Sequence, residues 1–173
     1  YLKAIELNPQ WDWPHCNLGD ALAALGKLDD AIVCYRKAIE LDAEWSWPRL
    51  RLASVLNSQA WALATDSNPE KCDPAKAVNL ANEAVELAPK SGPYFNTLGV
   101  AHYQSSQWKD AVVAFEKSMQ LRDGGDSADW FFLAMGHWQL GEKDKAGEWY
   151  DRAVQWMDKN QPTNEELRRY RAE

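Results

Sequence analysis

The chain has 173 residues, 46% of them hydrophobic, and is therefore long and apolar enough to bury a substantial core. A net charge of −7 argues against nucleic-acid binding, because surfaces that bind DNA or RNA concentrate basic charge. No segment approaches the roughly 20 apolar residues of a membrane span, and three cysteines without paired or ligand-like spacing favour a reducing, cytoplasmic setting.

Short segments recur along the chain at a spacing of 34 residues. The sequence AIELNP at residues 4–9 returns as AIELDA at residues 38–43, and WxWP at residues 11–14 returns at residues 45–48. A third variant, AVELAP, occupies residues 84–89. Repetition with a fixed period of this length predicts a solenoid, in which each unit buries its apolar face against its neighbours.

The first unit of this solenoid is incomplete. Residues 1–11 correspond to the second half of a unit, so the sequence is expected to be a piece of a longer protein. Residues 12–45 then predict a complete pair of helices. The first helix starts at about Asp12 and ends at Gly26, because glycine adopts the left-handed conformation after a helix at low cost. The second covers residues 28–41, where apolar side chains recur with helical periodicity.

The pattern within this pair resembles the tetratricopeptide repeat. The signature residues present at the family's spacing are Leu18, Gly19, Ala31, Tyr35 and Ala38. The resemblance implies an all-α fold, a right-handed superhelical solenoid of helix hairpins. Small residues such as Gly19 and Ala31 are then required where the two helices approach most closely, and Tyr35 fills the gap to the next unit.

Three further complete units are predicted, so that all 173 residues form a single solenoid domain. They cover residues 46–91, 92–126 and 127–159. The first of them carries insertions, because Ala38 and Ala84 are 46 residues apart, 12 more than one period. A long helix from about residue 48 to 65 and a polar loop over residues 66–74 are expected to hold the extra residues. The loop is either a tolerated insertion or a functional elaboration.

The last residues, 160–173, predict a helix that covers the C-terminal end of the solenoid. Thr163 is followed three residues later by Glu166, which is the spacing of a capping box. Terminal repeats need a polar cap of this kind for solubility. The predicted architecture is therefore a half repeat, four full repeats and a C-terminal capping helix, with about ten helices in all.

The sequence offers no constellation for catalysis. Phosphate-binding glycine loops, nucleophile-and-base motifs and metal-ligand clusters are missing from it, so a non-catalytic protein without a cofactor is predicted. His102 and His137 occupy equal slots 35 residues apart. Such a pair would hold zinc only with a third ligand, and the alternative is that both histidines simply pack within the solenoid.

The resemblance implies that a ligand binds on the concave side, along the first helix of each pair. The residues carried over to that face are Trp13, Cys16, Asp20, Ala23, Asn57, Trp61, Ala64, Asn96, Val100, Tyr103, Phe131, Met135, Trp138 and Gln139. Lys and Arg are absent from this set, so a clamp for a C-terminal carboxylate is not expected. Asn57 and Asn96 are suited to hydrogen-bond a peptide backbone. The alternative is that Trp61, Phe131 and Trp138 only pack between units.

The predicted function is a non-catalytic scaffold that binds an apolar peptide or protein segment in the concave groove. One alternative is self-association, in which the half repeat at the N-terminus stacks on another copy of the chain. Another is an accessory domain of a larger bacterial enzyme. Residues 57–89 and 124–134 resemble repeats that trail Ser/Thr protein kinases, and residues 1–50 resemble repeats attached to glycosyl- or methyltransferases.

Overall fold

A computed structural model describes residues 1–68 and 70–172, and these ranges contain ten α-helices. In chain order the helices are α1 (Leu2–Leu7), α2 (Asp12–Ala24), α3 (Leu28–Leu41), α4 (Ser46–Thr65), α5 (Pro74–Leu87), α6 (Gly92–Gln104), α7 (Trp108–Leu121), α8 (Ser127–Gln139), α9 (Lys143–Asn160) and α10 (Glu165–Ala172). They pack as the pairs α2–α3, α4–α5, α6–α7 and α8–α9, and each pair packs on the next. The predicted all-α solenoid of helix hairpins is confirmed. Within the described ranges, the helices lack the combination of length and apolar character that crossing a membrane requires.

Two of the helix pairs turn on a glycine with positive φ. Gly26 follows α2 with φ +74°, and Gly141 follows α8 with φ +78°, a conformation that glycine adopts without a steric penalty. The Lys27 amide donates a hydrogen bond to the Leu22 carbonyl at 2.9 Å, which satisfies a carbonyl at the end of α2. The boundary predicted at Gly26 is confirmed, since α2 ends two residues before it and α3 begins two residues after it.

The two helices of a pair approach closely where a glycine faces a buried ring. A Cβ atom added at Gly19 would lie 2.7 Å from Cε1 of Tyr35, and one added at Gly99 would lie 2.7 Å from Cε1 of Phe115. Both rings are fully buried. The expected requirement for a small residue at these positions is therefore confirmed, because any side chain would have to displace a packed ring.

The irregular second unit contains the long helix that its sequence predicts. α4 runs over 20 residues, and Leu56, Ala60 and Ala64 form a buried stripe along it at a spacing of four. α5 begins with an N-cap at Asp73, whose side chain accepts a hydrogen bond from a backbone N–H of the first turn at 3.0 Å. Pro69, in the loop between the two helices, lies outside the described residues.

The C-terminal capping helix is present, but the capping box predicted at Thr163 is wrong. The residue before α10 is Asn164, and its Oδ1 accepts a hydrogen bond from the Leu167 amide at 3.1 Å. Glu166 does not reach back to the helix start; its Oε1 accepts a hydrogen bond from the Tyr170 hydroxyl at 2.8 Å. The helix begins one residue later than predicted because Asn164 supplies the cap, and its Leu167 and Tyr170 side chains are buried against the core.

Candidate functional site

An aromatic cavity lies at the C-terminal end of the solenoid, between α6, α8, α9 and α10. Its volume is about 330 Å³, near the lower end of the range for ligand-binding pockets. It is lined by Tyr103, Phe131, Ala134, Met135, Trp138, Gln139, Lys143, Ala146, Gly147, Tyr150 and Tyr170. Such a lining is suited to take up an apolar side chain.

The aromatic cavity exists because the last full unit is incompletely covered. Tyr35 and Phe115 occupy the same slot in two earlier units and are 0% exposed, since the first helix of the next unit packs over each. Phe132 of α8, for example, stacks on Phe115 with ring centroids 5.2 Å apart. Tyr150 holds this slot in α9 and is 39% exposed, because α10 packs mainly on α8.

One charged side chain, Lys143, is found among the described residues that line the aromatic cavity. The Lys143 Nζ lies 5.5 Å from the centroid of the Trp138 ring, within the range of a cation–π interaction. Burial, followed by the hydrogen bond to Glu166, raises the pKa of Tyr170 to about 12, so that its phenol is neutral at physiological pH. The cavity is therefore apolar, with one exposed cation at its edge.

A second cavity, of about 380 Å³, lies between α4 and α6. This polar cavity is lined by Asn57, Ser58, Trp61, Pro93, Asn96, Thr97 and Arg122. The Oδ1 atom of Asn57 is buried and accepts no hydrogen bond from any described residue. A buried carbonyl left without a donor costs free energy, so Asn57 contributes an unsatisfied acceptor at the polar cavity.

A buried ion pair borders the polar cavity. Arg122 donates hydrogen bonds to Asp129 and, at 2.9 Å, to Asp126. Asp129 is 0% exposed and also accepts a hydrogen bond from Asn96 Nδ2 at 2.7 Å. Burial raises the pKa of Asp129, although these hydrogen bonds and the Arg122 charge oppose the rise. Arg122 Nε also donates to Ser118 Oγ at 3.2 Å, which explains the serine where the repeat usually has alanine.

Eight of the fourteen groove residues predicted from the sequence line one of the two cavities. Those at the polar cavity are Asn57, Trp61 and Asn96. Those at the aromatic cavity are Tyr103, Phe131, Met135 and Trp138, and Gln139 joins them there. Trp61 and Trp138 are 36% and 59% exposed, and both present surface to a partner. Phe131 is 1% exposed, so its contribution to the cavity is mostly packing.

Two further predicted residues are partly or largely exposed but lie away from both cavities. Trp13 is 49% exposed and stacks on Trp11, with ring centroids 6.0 Å apart. Asp20 accepts hydrogen bonds from the Tyr35 hydroxyl and from Arg51 Nε, both at 2.7 Å. These bonds tie α2 to α3 and α4, so the Asp20 carboxylate is already occupied within the fold.

The remaining predicted residues are turned into the solenoid. Cys16 and Val100 are 1% exposed and pack in the core, so their side chains are not accessible to a partner. Ala64 is likewise buried, and Ala23 is half-buried against the core around Cys16. The physical reason is that the first helix of each pair is enclosed by its own second helix and by both neighbouring units, which leaves a narrower accessible strip than the repeat pattern implies.

His102 and His137 both bridge the turn that follows their helix. His102 Nδ1 is hydrogen-bonded to the Gln107 side chain, and His137 Nδ1 lies 2.8 Å from Glu142 Oε2. Each partner stands five residues further along the chain. Over the described ranges, three or more His, Cys, Asp or Glu side chains are nowhere grouped as a metal site would require.

Sequence reasoning missed the cavity residues that lie outside the first helices. Lys143, Gly147 and Tyr150 belong to α9, Tyr170 belongs to α10, and Arg122 directly follows α7. The repeat pattern treats each unit as an interior one.

The repeat pattern and the helix pairs agree with comparisons to known proteins. Sequence models of the tetratricopeptide repeat match residues 13–44 and 96–165, which together make up more than half of the chain. The chain belongs to the tetratricopeptide repeat family. No curated protein sequence matches it.

Solved structures of other repeat proteins share the fold. A crystal structure of MamA has 19% sequence identity and a TM-score of 0.63, covering 92% of this chain and 85% of that one. MamA from Desulfovibrio magneticus RS-1 has 18% identity and a TM-score of 0.61, with 91% and 81% covered. YrrB, described as a TPR protein with an unusual peptide-binding site, has 19% identity and a TM-score of 0.54, with 99% and 97% covered. At these identities the likeness establishes the fold.

Proposed function

We propose that the chain is a non-catalytic scaffold that binds an apolar peptide or protein segment along its concave face. The observation that carries this proposal is the aromatic cavity, where Trp138 is 59% exposed beside the half-buried Met135 and Tyr103. Large exposed aromatic side chains around a concavity are typical of the residues that dominate protein–protein binding. Membership of a family of interaction modules supports the same conclusion.

The two cavities are placed to engage one segment. Seven residues of α6 separate Asn96, at the polar cavity, from Tyr103, at the aromatic cavity, which is about 10 Å along a helix axis. Roughly three residues of extended chain span that distance. A partner would place an apolar side chain in the aromatic cavity and a polar group at the polar cavity. The packed helices hold both cavities in position beforehand, which lowers the entropy lost on binding.

We expect Trp138→Ala to weaken binding of a selected peptide by about 2 kcal/mol, or roughly thirtyfold, because Trp138 is the most exposed aromatic residue of the described cavity lining. Peptides would be selected on the wild-type chain from a random display library, and their affinities measured by calorimetry. Trp47→Ala is the matched control, since Trp47 is 49% exposed and lines neither cavity. Equal losses in the two variants, or a library that yields no apolar peptide, would contradict the proposal.

Self-association through the N-terminal half repeat is a second candidate. No residue of α1 is buried, and Leu2 and Leu7 are 65% and 76% exposed. An exposed apolar face of this kind favours contact with another protein surface. A molecular mass that rises with concentration in light scattering would support this candidate. An accessory role beside a kinase or transferase, and a bacterial cytoplasmic setting, stay predictions.

A further inference from the structure

We propose that the segment bound at the aromatic cavity carries a carboxylate next to its apolar anchor, and that Lys143 binds this carboxylate. The inference rests on the proposed function and specifies the chemistry of the partner. It follows from the distribution of charge around the cavity, from the position of the lysine amine and from the size of the cavity.

The charge at the aromatic cavity is opposite to that of the chain as a whole. The sequence has 26 acidic and 19 basic side chains, yet the described lining of the cavity contains one lysine and no carboxylate. Two carboxylates near the cavity are engaged in contacts within the chain. Glu142 accepts hydrogen bonds from Lys145 at 3.0 Å and lies 2.8 Å from His137, and Glu166 accepts one from Tyr170. The charged side chain that a partner meets in the described lining is therefore a cation, although the chain as a whole is acidic.

The Lys143 amine is held at the cavity without being neutralised. Its Nζ lies 5.5 Å from the Trp138 ring centroid, and it forms no ion pair with any residue of the described ranges. The lysine is exposed, so the amine remains hydrated and available. A carboxylate beside an apolar side chain seated in the cavity would pair with the amine while Trp138 contacts the lysine stem.

The size of the cavity favours a side chain over a larger ligand. A volume of about 330 Å³ is at the low end for drug-sized molecules, whereas it accommodates one large aromatic or aliphatic side chain. The positive charge comes from the first turn of α9, the second helix of its pair. The carboxylate is therefore bound by a residue of a second helix. The groove residues predicted from the sequence lie on the first helices and include no Lys or Arg.

The test is an array of short synthetic peptides probed with the purified chain. Each peptide has Leu, Phe or Trp at its centre and Glu, Gln or Lys at each neighbouring position. A second set ends on the apolar residue with a free α-carboxylate, which distinguishes a side-chain acid from a C-terminal one. We expect carboxylate peptides to bind about fivefold more tightly than their neutral counterparts, the gain of one well-placed ion pair at a surface.

Lys143→Gln should abolish this preference, and Lys145→Gln should preserve it. Both residues lie in the first turn of α9 and both changes remove one positive charge, but Lys145 pairs with Glu142 and does not line the cavity. Equal retention of Glu and Gln peptides, a preference for Lys peptides, or identical behaviour of the two variants would overturn the acid preference while leaving apolar peptide binding intact. Failure to retain any apolar peptide would overturn the proposed function as well.

Discussion

Replacing Phe115 with alanine is expected to lower the free energy of unfolding by about 3–5 kcal/mol, the cost of emptying a large buried aromatic site. Phe115 is 0% exposed, stacks on Phe132 at 5.2 Å, and fills the space left by Gly99 on the facing helix. The ring thus joins two helices of one unit to the first helix of the next. Urea denaturation followed by circular dichroism measures the loss.

Tyr150→Ala is the matched comparison for this prediction. Tyr150 occupies the slot of Phe115 one unit later, but it is 39% exposed because α10 covers it incompletely. We expect this change to cost about 1–2 kcal/mol, in proportion to its smaller buried area. Equal losses of unfolding free energy for the two substitutions would mean that Tyr150 is packed as tightly as Phe115. The cavity beside Tyr150 would then not be open.

Arg122→Ala is expected to lower the free energy of unfolding by about 3 kcal/mol at pH 7, because it removes the cation paired with a buried carboxylate. Asp129 is 0% exposed, and Arg122 is the positive charge that contacts it. The hydrogen bond from Asn96 Nδ2 remains, at 2.7 Å, and moderates the loss. Chemical denaturation at a series of pH values gives the measurement.

The loss of unfolding free energy caused by Arg122→Ala should be smaller at an acidic pH than at pH 7. Burial raises the pKa of Asp129 in the folded state above that of the unfolded chain, and loss of Arg122 raises it further. Between the two pKa values the folded state holds a proton that the unfolded state has released, so stability rises as the pH falls through this window. The double variant Arg122→Ala/Asp129→Asn should lack this pH dependence. An equal loss of unfolding free energy at both pH values would show that the unpaired carboxylate of Asp129 is not the cause of the loss.

Local sequence signals predicted the helices well where they act within a few residues. Gly26 and the apolar period placed the ends of α2 and α3, and the insertion analysis placed α4, because each depends on nearby backbone sterics or on one helix face. The start of α10 was misplaced at Thr163, since Thr and Asn cap helices by the same chemistry. The Leu167 amide donates its hydrogen bond to Asn164 Oδ1, and the composition of this segment does not decide between two adjacent capping residues.

The candidate site was predicted in part for a related reason. Repeat positions identified Trp61, Met135 and Trp138, because the first helices do line the two cavities. The same positions also selected Cys16 and Val100, whose burial depends on how far each helix is rotated against its neighbours. The contributions from α9 and α10 lie outside the first helices, which are the helices that the repeat positions select.

The most direct test of peptide binding at the aromatic cavity is to fill the cavity from within. Gly147 lines it, and a Cβ atom added there would have no neighbouring heavy atom within 4 Å, so Gly147→Leu would occupy the space without displacing the core. Removal of a glycine from the interior of α9 should also raise helix stability by up to about 1 kcal/mol. Gly147→Ala is the control that gains this stability while leaving most of the volume free.

The measurement is calorimetric titration of a display-selected apolar peptide into the wild-type chain and into the two Gly147 variants. Binding at the cavity predicts an affinity at least about tenfold weaker for Gly147→Leu, with unfolding free energy equal to or above that of the wild type and a smaller effect for Gly147→Ala. An unchanged affinity in a stably folded Gly147→Leu variant would contradict the assignment and place the bound segment elsewhere on the solenoid.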